Sequence, residues 1–331
     1  PEAFDGSHGA QDRVKTVVRN KLGLDRDCAV AWHLHGHLPF VVFRNPPSPP
    51  KRVGMADVID LIASGPDTRL LVGLAASRVP VWHDLESDSP HLLVSAGSGA
   101  GKSVLLRFLA AQGLAKGGYG IVLDVKKVSH PWASNLRNCE YHRTTEAIHD
   151  RLISLQAELD RRNEIVVADM DIDGNTDHID VGPRIFVLAE EMNATILRLS
   201  AYWRKIKQKG DPNVSPAVDA LLDLLFMGRQ VKVHVLAVAQ SATARALGGP
   251  EARENFATRC LARFTVNAWK MLVPEVPVPK KSSIQGRWEI VCAGVSTTTQ
   301  VAFLTPREAR DLALAGYAAA YGPPPTVPAS Q

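Results

Sequence analysis

Eight residues, Ala96-Gly97-Ser98-Gly99-Ala100-Gly101-Lys102-Ser103, run close to the spacing G-x-x-x-x-G-K-[ST], in which a glycine-rich turn wraps phosphate. Main-chain N–H groups of such a turn, and the first turn of the helix after it, point at negative charge. Lys102 is placed to reach the β- and γ-phosphates of a nucleotide, and the Ser103 hydroxyl to ligate Mg²⁺. Alanine stands at 96 where the motif has glycine, a difference of one methyl where the loop leaves its strand. Gly97, Gly99 and Gly101 keep the loop supple. The expected nucleotide contacts are therefore Ala96, Gly97, Ser98, Gly99, Ala100, Gly101, Lys102, Ser103 and Val104, with ATP and Mg²⁺ as ligands.

Such a site needs a carboxylate at the end of a neighbouring strand. The stretch "IFVLAEE" supplies Glu190 and Glu191. Glu190 is assigned to Mg²⁺ through water and Glu191 to polarising the attacking water. The first acid is usually aspartate, so the two glutamates could exchange roles. Gln240 closes another apolar run, "VLAVAQ", where an amide can sense the γ-phosphate. From Met192 to Gly210 the chain carries Arg198, Arg204, Lys205, Lys207 and Lys209, no acid, and the aromatics Tyr202 and Trp203. That local excess of positive charge suits a phosphate backbone.

Other users of a phosphate loop are excluded by what is missing. The one "NK" pair, Asn20-Lys21, precedes the loop and is followed by Leu-Gly, so no guanine-reading NKxD motif exists. "LGGPEAR" follows the second acid and lacks the serine and glutamine of a transporter signature. No acceptor lid of a small-molecule kinase is identifiable.

These residues need a scaffold, and 331 residues are enough for one large domain with smaller additions. The chain is 45% hydrophobic and 22% charged, with 38 Lys and Arg against 34 Asp and Glu. A net charge of +4 is too mild for a protein that coats nucleic acid with its whole surface, so any such contact is local. The four cysteines, Cys28, Cys139, Cys260 and Cys292, are widely spaced, which argues against a disulfide framework or a zinc site. No apolar run is long enough to cross a bilayer.

Residues 1–70 read as a small leading module: a helix over "RVKTVVRNKLGL", a strand over "HLPFVVF", and a polyproline-like connector from Arg44 to Arg52. His33, His35 and His37 alternate as on one solvated strand face. From residue 71 to 317, short apolar runs alternate with helical stretches at Ser103–Ala115, Thr145–Val167, Met192–Lys209 and Pro216–Gln230. That alternation predicts an α/β domain around a mostly parallel sheet. The proline-rich tail, 318–331, reads as disordered.

Between about residues 70 and 305 the chain resembles the motor domain of FtsK/SpoIIIE-type DNA translocases. The matches come in order. "LLVGLAASRVPVWHDLESDSPHLLVSAGSGAGKSV" is similar to the family's opening strands and GSGKS loop. "VLDVKKV" resembles its "IDPK" segment, and "LQAELDRRN" its "EMERRY" helix. "VLAEEMNAT" stands where the family has "VIDEFADL". "GRQVKVHVLAVAQSA" and "ENFATRCLARF" resemble its "RAxGIHLIxATQRP" and "ANxPTRIAFxV". "EEMNAT", "AYWRKIKQKGDP" and "NAWKMLVPE" are closest to the TraB/TraSA-like conjugation branch of actinobacteria. The resemblance implies a RecA-like P-loop fold, ATP hydrolysis coupled to movement of double-stranded DNA in conjugation, and a homo-oligomeric, hexameric ring. It implies that an arginine from the neighbouring subunit completes the site, Arg259 and Arg263 being the two candidates. A membrane anchor or membrane partner outside this chain is also implied, with the motor at the inner face of the cell membrane. No winged-helix pattern follows Thr305, so the family's sequence-reading domain is not carried over.

Overall fold

The structure, a computed structural model, describes residues 6–24, 28–35, 37–44, 47–174, 176, 178–239 and 247–321. The chain divides into two compact units, Pro1–Ser48 and Pro49–Gln331. In the first, helix α1 (His8–Leu22) is capped by Ser7, whose Oγ accepts from the Ala10 N–H, and ends on Gly23 in the left-handed region. Strands β1 (Ala29–His33) and β2 (Phe40–Arg44) follow as an antiparallel pair. His33 stacks on Phe40 at 4.5 Å between ring centroids. His35 and His37 fall outside β1, so the three histidines do not share a strand face. Among the described residues, no three His, Cys, Asp or Glu are grouped to hold a metal.

The boundary lies at residue 48 rather than 70 because the segment after the connector packs with the sheet. Val53, together with Val58 and Ile62 of helix α2 (Met55–Ser64), joins the larger unit's core. That unit is built on ten strands in the order β4-β3-β12-β11-β10-β5-β9-β8-β6-β7. Six are parallel: β10 (Thr258–Ala262), β5 (Leu92–Ala96), β9 (Val233–Val238), β8 (Ile185–Glu190), β6 (Tyr119–Asp124) and β7 (Cys139–His142). The other four, β11 (Arg287–Cys292), β12 (Val295–Val301), β3 (Arg69–Leu74) and β4 (Pro80–Asp84), extend the sheet antiparallel.

Both faces of the parallel block are covered, as its near-continuous apolar runs require. Alternate residues enter opposite cores: Leu92 and Val94 one, Leu93 the other; Val122 one, Ile121 and Leu123 the other. The first face carries α2, α3 (Lys102–Ala115) and α9 (Pro306–Tyr321). The second carries α4 (Thr145–Asp169), α5 (Met192–Ile206), α6 (Pro216–Met227) and α8 (Val266–Leu272); a one-turn α7 (Pro250–Glu254) precedes β10. Helix α3 is buried nearly all round because α9 lies on it. A methyl at Gly316 would stand 2.1 Å from the Ala115 carbonyl oxygen, so only glycine permits that approach.

Several ends differ from the sequence expectation. Helix α5 stops at Ile206, because Lys207 turns extended. Helix α6 stops at Met227, where Gly228 is wedged between the Leu224 and Val233 carbonyls. Helix α9 runs to Tyr321, so residues 318–321 are helical; residues 322–331 lie outside the described set. Among the described residues, no helix is long and apolar enough to cross a membrane.

Candidate nucleotide site

The parallel strands all carry the site at their C-terminal ends, the edge where ligands bind in open α/β sheets. Strand β5 delivers the phosphate loop and β8 delivers the acids, with β9 between them. Gln240, the expected sensor, follows β9 but lies outside the described residues.

Ala96 is the last residue of β5, paired in register with Ala262, and its methyl is buried in the core. Its backbone is extended, so glycine is not required there. The turn's demands fall on Gly99 (φ +70°) and Gly101 (φ +99°), which L side chains rarely satisfy. The loop thus keeps glycine where geometry needs it. Gly101 caps α3 and leaves the N–H groups of Lys102 and Ser103 beside the loop, while the Val104 N–H donates to Gly101 O at 3.1 Å. Lys102 folds back over the loop, its Nζ 2.9 Å from Ala96 O and 3.4 Å from Gly97 O. Desolvation lowers the Lys102 pKa, against the pull of Glu191. Ser98 and Ala100 complete the turn, and the Ala100 N–H donates to Gly97 O.

The Ser103 hydroxyl donates to Glu190 Oε1 at 2.9 Å, tying the loop's helix to the end of β8. Glu190 Oε2 lies 3.1 Å from His130 Nε2, and both side chains are buried. Glu191 has a different partner. Its backbone is left-handed (φ 55°, ψ 60°), a conformation costing a non-glycine residue on the order of 1 kcal/mol or more. Its Oε1 meets Lys126 Nζ at 2.6 Å. The two glutamates therefore have separate surroundings.

Strand register explains the neighbours that the sequence did not reveal. Asp124 ends β6 opposite Glu190. It accepts hydrogen bonds from Tyr141 OH (2.7 Å) and from the N–H groups of Ser129 (2.8 Å) and Lys126 (2.9 Å). Burial alone would raise the Asp124 pKa, but these donors outweigh it and hold it low, while burial and the same bond push the Tyr141 phenol up to about 12. The signal was present in "VLDVKKVSHPW", where an aspartate ends an apolar run, but its pairing with Glu190 depends on a strand far along the chain.

The two candidate arginines separate cleanly. Arg259 sits opposite Leu93, well below the loop, and donates to Phe256 O (3.0 Å) and Leu272 O (2.6 Å), with Glu275 at 3.5 Å. Arg263 follows β10, left-handed at φ 48°, with Nη1 3.4 Å from Ser98 O of its own loop. A cavity of about 250 Å³ opens beside it, lined by Gly97, Ser98 and Thr265 among others. On the other side of the loop, a cleft of about 750 Å³ is lined by Arg52, Val104, Gln285, Trp288, Gln300 and Phe303. Its size suits a nucleoside.

Of the basic residues, Arg204 and Lys205 occupy the exposed last turn of α5, where positive charge also suits the helix dipole. Lys207 and Lys209 follow, and Lys207 Nζ meets Asn213 Oδ1 at 2.9 Å. Arg198 stands apart, near the acids, donating to Val125 O at 3.3 Å.

Loop, second acid and intervening strand together define a RecA-like P-loop fold. The solved structures most like it include the monomer form of the pCW3 conjugation coupling protein TcpA with ATPγS: 16% identity, TM-score 0.65, covering 92% of this chain and 86% of that one. The cytoplasmic domain of the Thermomonospora curvata Type VII secretion ATPase EccC is similar at 19% identity and TM-score 0.59, over 78% of this chain and 28% of that one. The cytoplasmic domain of EssC is similar at 15% identity and TM-score 0.61, over 89% of this chain and 52% of that one. These neighbours are FtsK/SpoIIIE-type P-loop ATPases, and at such identities the likeness establishes the fold. No protein-family model matches the chain, and no curated protein matches its sequence.

Proposed function

We propose that this chain is an ATP-driven translocase of double-stranded DNA, serving conjugative transfer as a hexameric ring at the inner face of the membrane. The observation that carries the reading is the 2.9 Å contact between Ser103 and Glu190, which joins the phosphate loop to the first acid of the Glu190–Glu191 pair. Charge at the far end of α5 supports the nucleic-acid part.

The chemistry follows from the residues in place. Loop amides and the α3 N-terminus receive the phosphates, and Lys102 leaves the Ala96 and Gly97 carbonyls to meet them. The nucleoside occupies the larger cleft beside Val104. Ser103 and Glu190 offer two adjacent hard oxygens, a donor set that fits Mg²⁺. When bound, Mg²⁺ neutralises charge on the phosphate oxygens. Glu191 orients the attacking water once it releases Lys126. Arg263 lies beside the loop of its own subunit and would act there on the developing phosphate charge, rather than from a neighbour as the resemblance implies, whereas Arg259 is held by the Phe256 and Leu272 carbonyls. Helix α5 spans about 22 Å at 1.5 Å per residue from Glu191 to the basic end, and so links the acids to a DNA backbone.

ATP turnover with blunt duplex and with single strands tests this. Duplex should stimulate at least tenfold more than single strands. Charge reversal at Lys205, Lys207 and Lys209 should weaken that stimulation and flatten its salt dependence, by roughly one log–log unit for each phosphate no longer neutralised. Equal stimulation by both substrates, or unchanged salt dependence in the charge-reversed protein, would contradict the reading. A second reading draws on the fold shared with the Type VII secretion ATPase: a coupling module that recruits a protein or single-stranded DNA complex to a secretion channel. It predicts no preference for duplex.

A further inference from the structure

Glu190 departs from the usual aspartate, and the extra methylene adds a rotatable bond that a metal-directed carboxylate must lose. The structure supplies a device that removes this freedom. His130 is fully buried, and its Nε2 lies 3.1 Å from Glu190 Oε2. On the other side of the ring, the Trp132 indole N–H donates to His130 Nδ1 at 3.1 Å. An indole nitrogen can only donate, so Nδ1 is the bare nitrogen and Nε2 carries the proton. The ring therefore donates to Glu190.

Trp132 is itself fixed. It is 3% exposed, in a single helical turn at Pro131–Ala133, and lies edge-on to His130 with ring centroids 6.3 Å apart. Arg310 of α9 donates to the carbonyls of Trp132 (3.2 Å) and Ser134 (2.7 Å), anchoring the turn. Glu190 thus has one oxygen held by Ser103 and the other by a ring whose tautomer is set from behind.

We propose that His130, locked as the Nε2–H tautomer by Trp132, is a positioning residue that aims the Glu190 carboxylate at the metal. This role rests on the assignment of Ser103 and Glu190 to Mg²⁺. Outer partners of metal-bound carboxylates typically change metal affinity 10- to 100-fold when removed.

The test uses the full chain with ATPγS and Mn²⁺ in place of Mg²⁺, following free Mn²⁺ by electron paramagnetic resonance. Binding of a fluorescent nucleotide in excess EDTA serves as the metal-free control. His130→Leu should raise the Mn²⁺ Kd at least tenfold and leave metal-free nucleotide binding within about twofold. His130→Gln, whose amide spans about the same distance between donor and acceptor, should return the Kd to within about threefold of wild type. Trp132→Phe frees the tautomer and should raise the Kd about threefold or more; with His130→Gln it carries the test if His130→Leu does not fold. The proposal is overturned if His130→Leu binds Mn²⁺ like wild type. It is equally overturned if His130→Gln binds as poorly as His130→Leu, or if binding with and without metal falls in parallel. Wild-type protein that binds nucleotide with no help from metal would instead overturn the Ser103–Glu190 assignment, and the positioning role with it.

Discussion

Glu190 and Glu191 are adjacent in sequence yet meet different partners, and the roles proposed for them rest on this separation. Glu190 is gripped by Ser103 and His130, whereas Glu191 is paired with Lys126 on a left-handed backbone. Glu190→Gln should weaken Mg²⁺-dependent nucleotide binding by about 10- to 100-fold. Glu191→Gln should leave binding within about threefold but slow single-turnover hydrolysis by about 100-fold or more, trapping an ATP-bound state. Nucleotide binding with and without Mg²⁺, alongside single-turnover kinetics, checks both; the reverse pattern would exchange the assignments. The sequence left that exchange open, because both residues are glutamates and only their surroundings differ. It also showed that Ala96 is a small departure. What the methyl meets depends on the fold: Ala96 ends β5, and Gly99 and Gly101 take the turn. Asp124, Lys126, His130 and Trp132 were not legible as a site, since it is the β6–β8 register that gathers them around the glutamates.

At the scale of elements, the parallel strands were readable because burial on both faces makes them apolar throughout. Strand β12, "VSTTTQV", and the short β7, "CEYH", escaped because neither is apolar; their places come from pairing with β11 and with β6. Helix α4 was visible by its period, but the purpose of Arg162 was not. Its guanidinium is buried and donates to Pro183 O and Val231 O, pinning α4 to the segments that lead into β8 and β9. At that same lower edge, histidines stitch strands together. His83 of β4 bonds with Thr258 Oγ1 and Pro90 O. His91 accepts from the Val235 N–H and donates to Leu225 O. Desolvation lowers the pKa of His83 and His91 from 6.5 to about 4, and His234 is lowered well below its ordinary value by burial and by Arg184. Between these limits the unfolded chain binds protons that the native state refuses, so stability falls as pH drops from about 6.5 towards 4. By pH 4.5 each of His83 and His91 costs the native state on the order of 2 kcal/mol. The melting temperature should therefore already decline as pH falls from about 6.5 to 5.5, before ordinary carboxylates take up an appreciable share of protons. A flat profile there would contradict the neutral, buried assignment.

For the whole molecule, a ten-stranded sheet brings loop and acids to one edge, with β9 between the strands that carry them, and buries a two-sided core beneath them. Helix α5 starts at the acids and ends with Arg204 and Lys205 in its last turn; in the proposed function it would carry motion begun at phosphate to a polyanion. Steady-state ATP hydrolysis with Mg²⁺ and long duplex DNA, by wild-type protein and by Lys102→Ala, tests the central claim most directly. Wild type should turn over ATP, and Lys102→Ala should lose at least about 100-fold of that rate while melting within a few degrees of wild type. Turnover that survives the loss of Lys102, or a correctly folded wild-type chain that consumes no ATP, would contradict it.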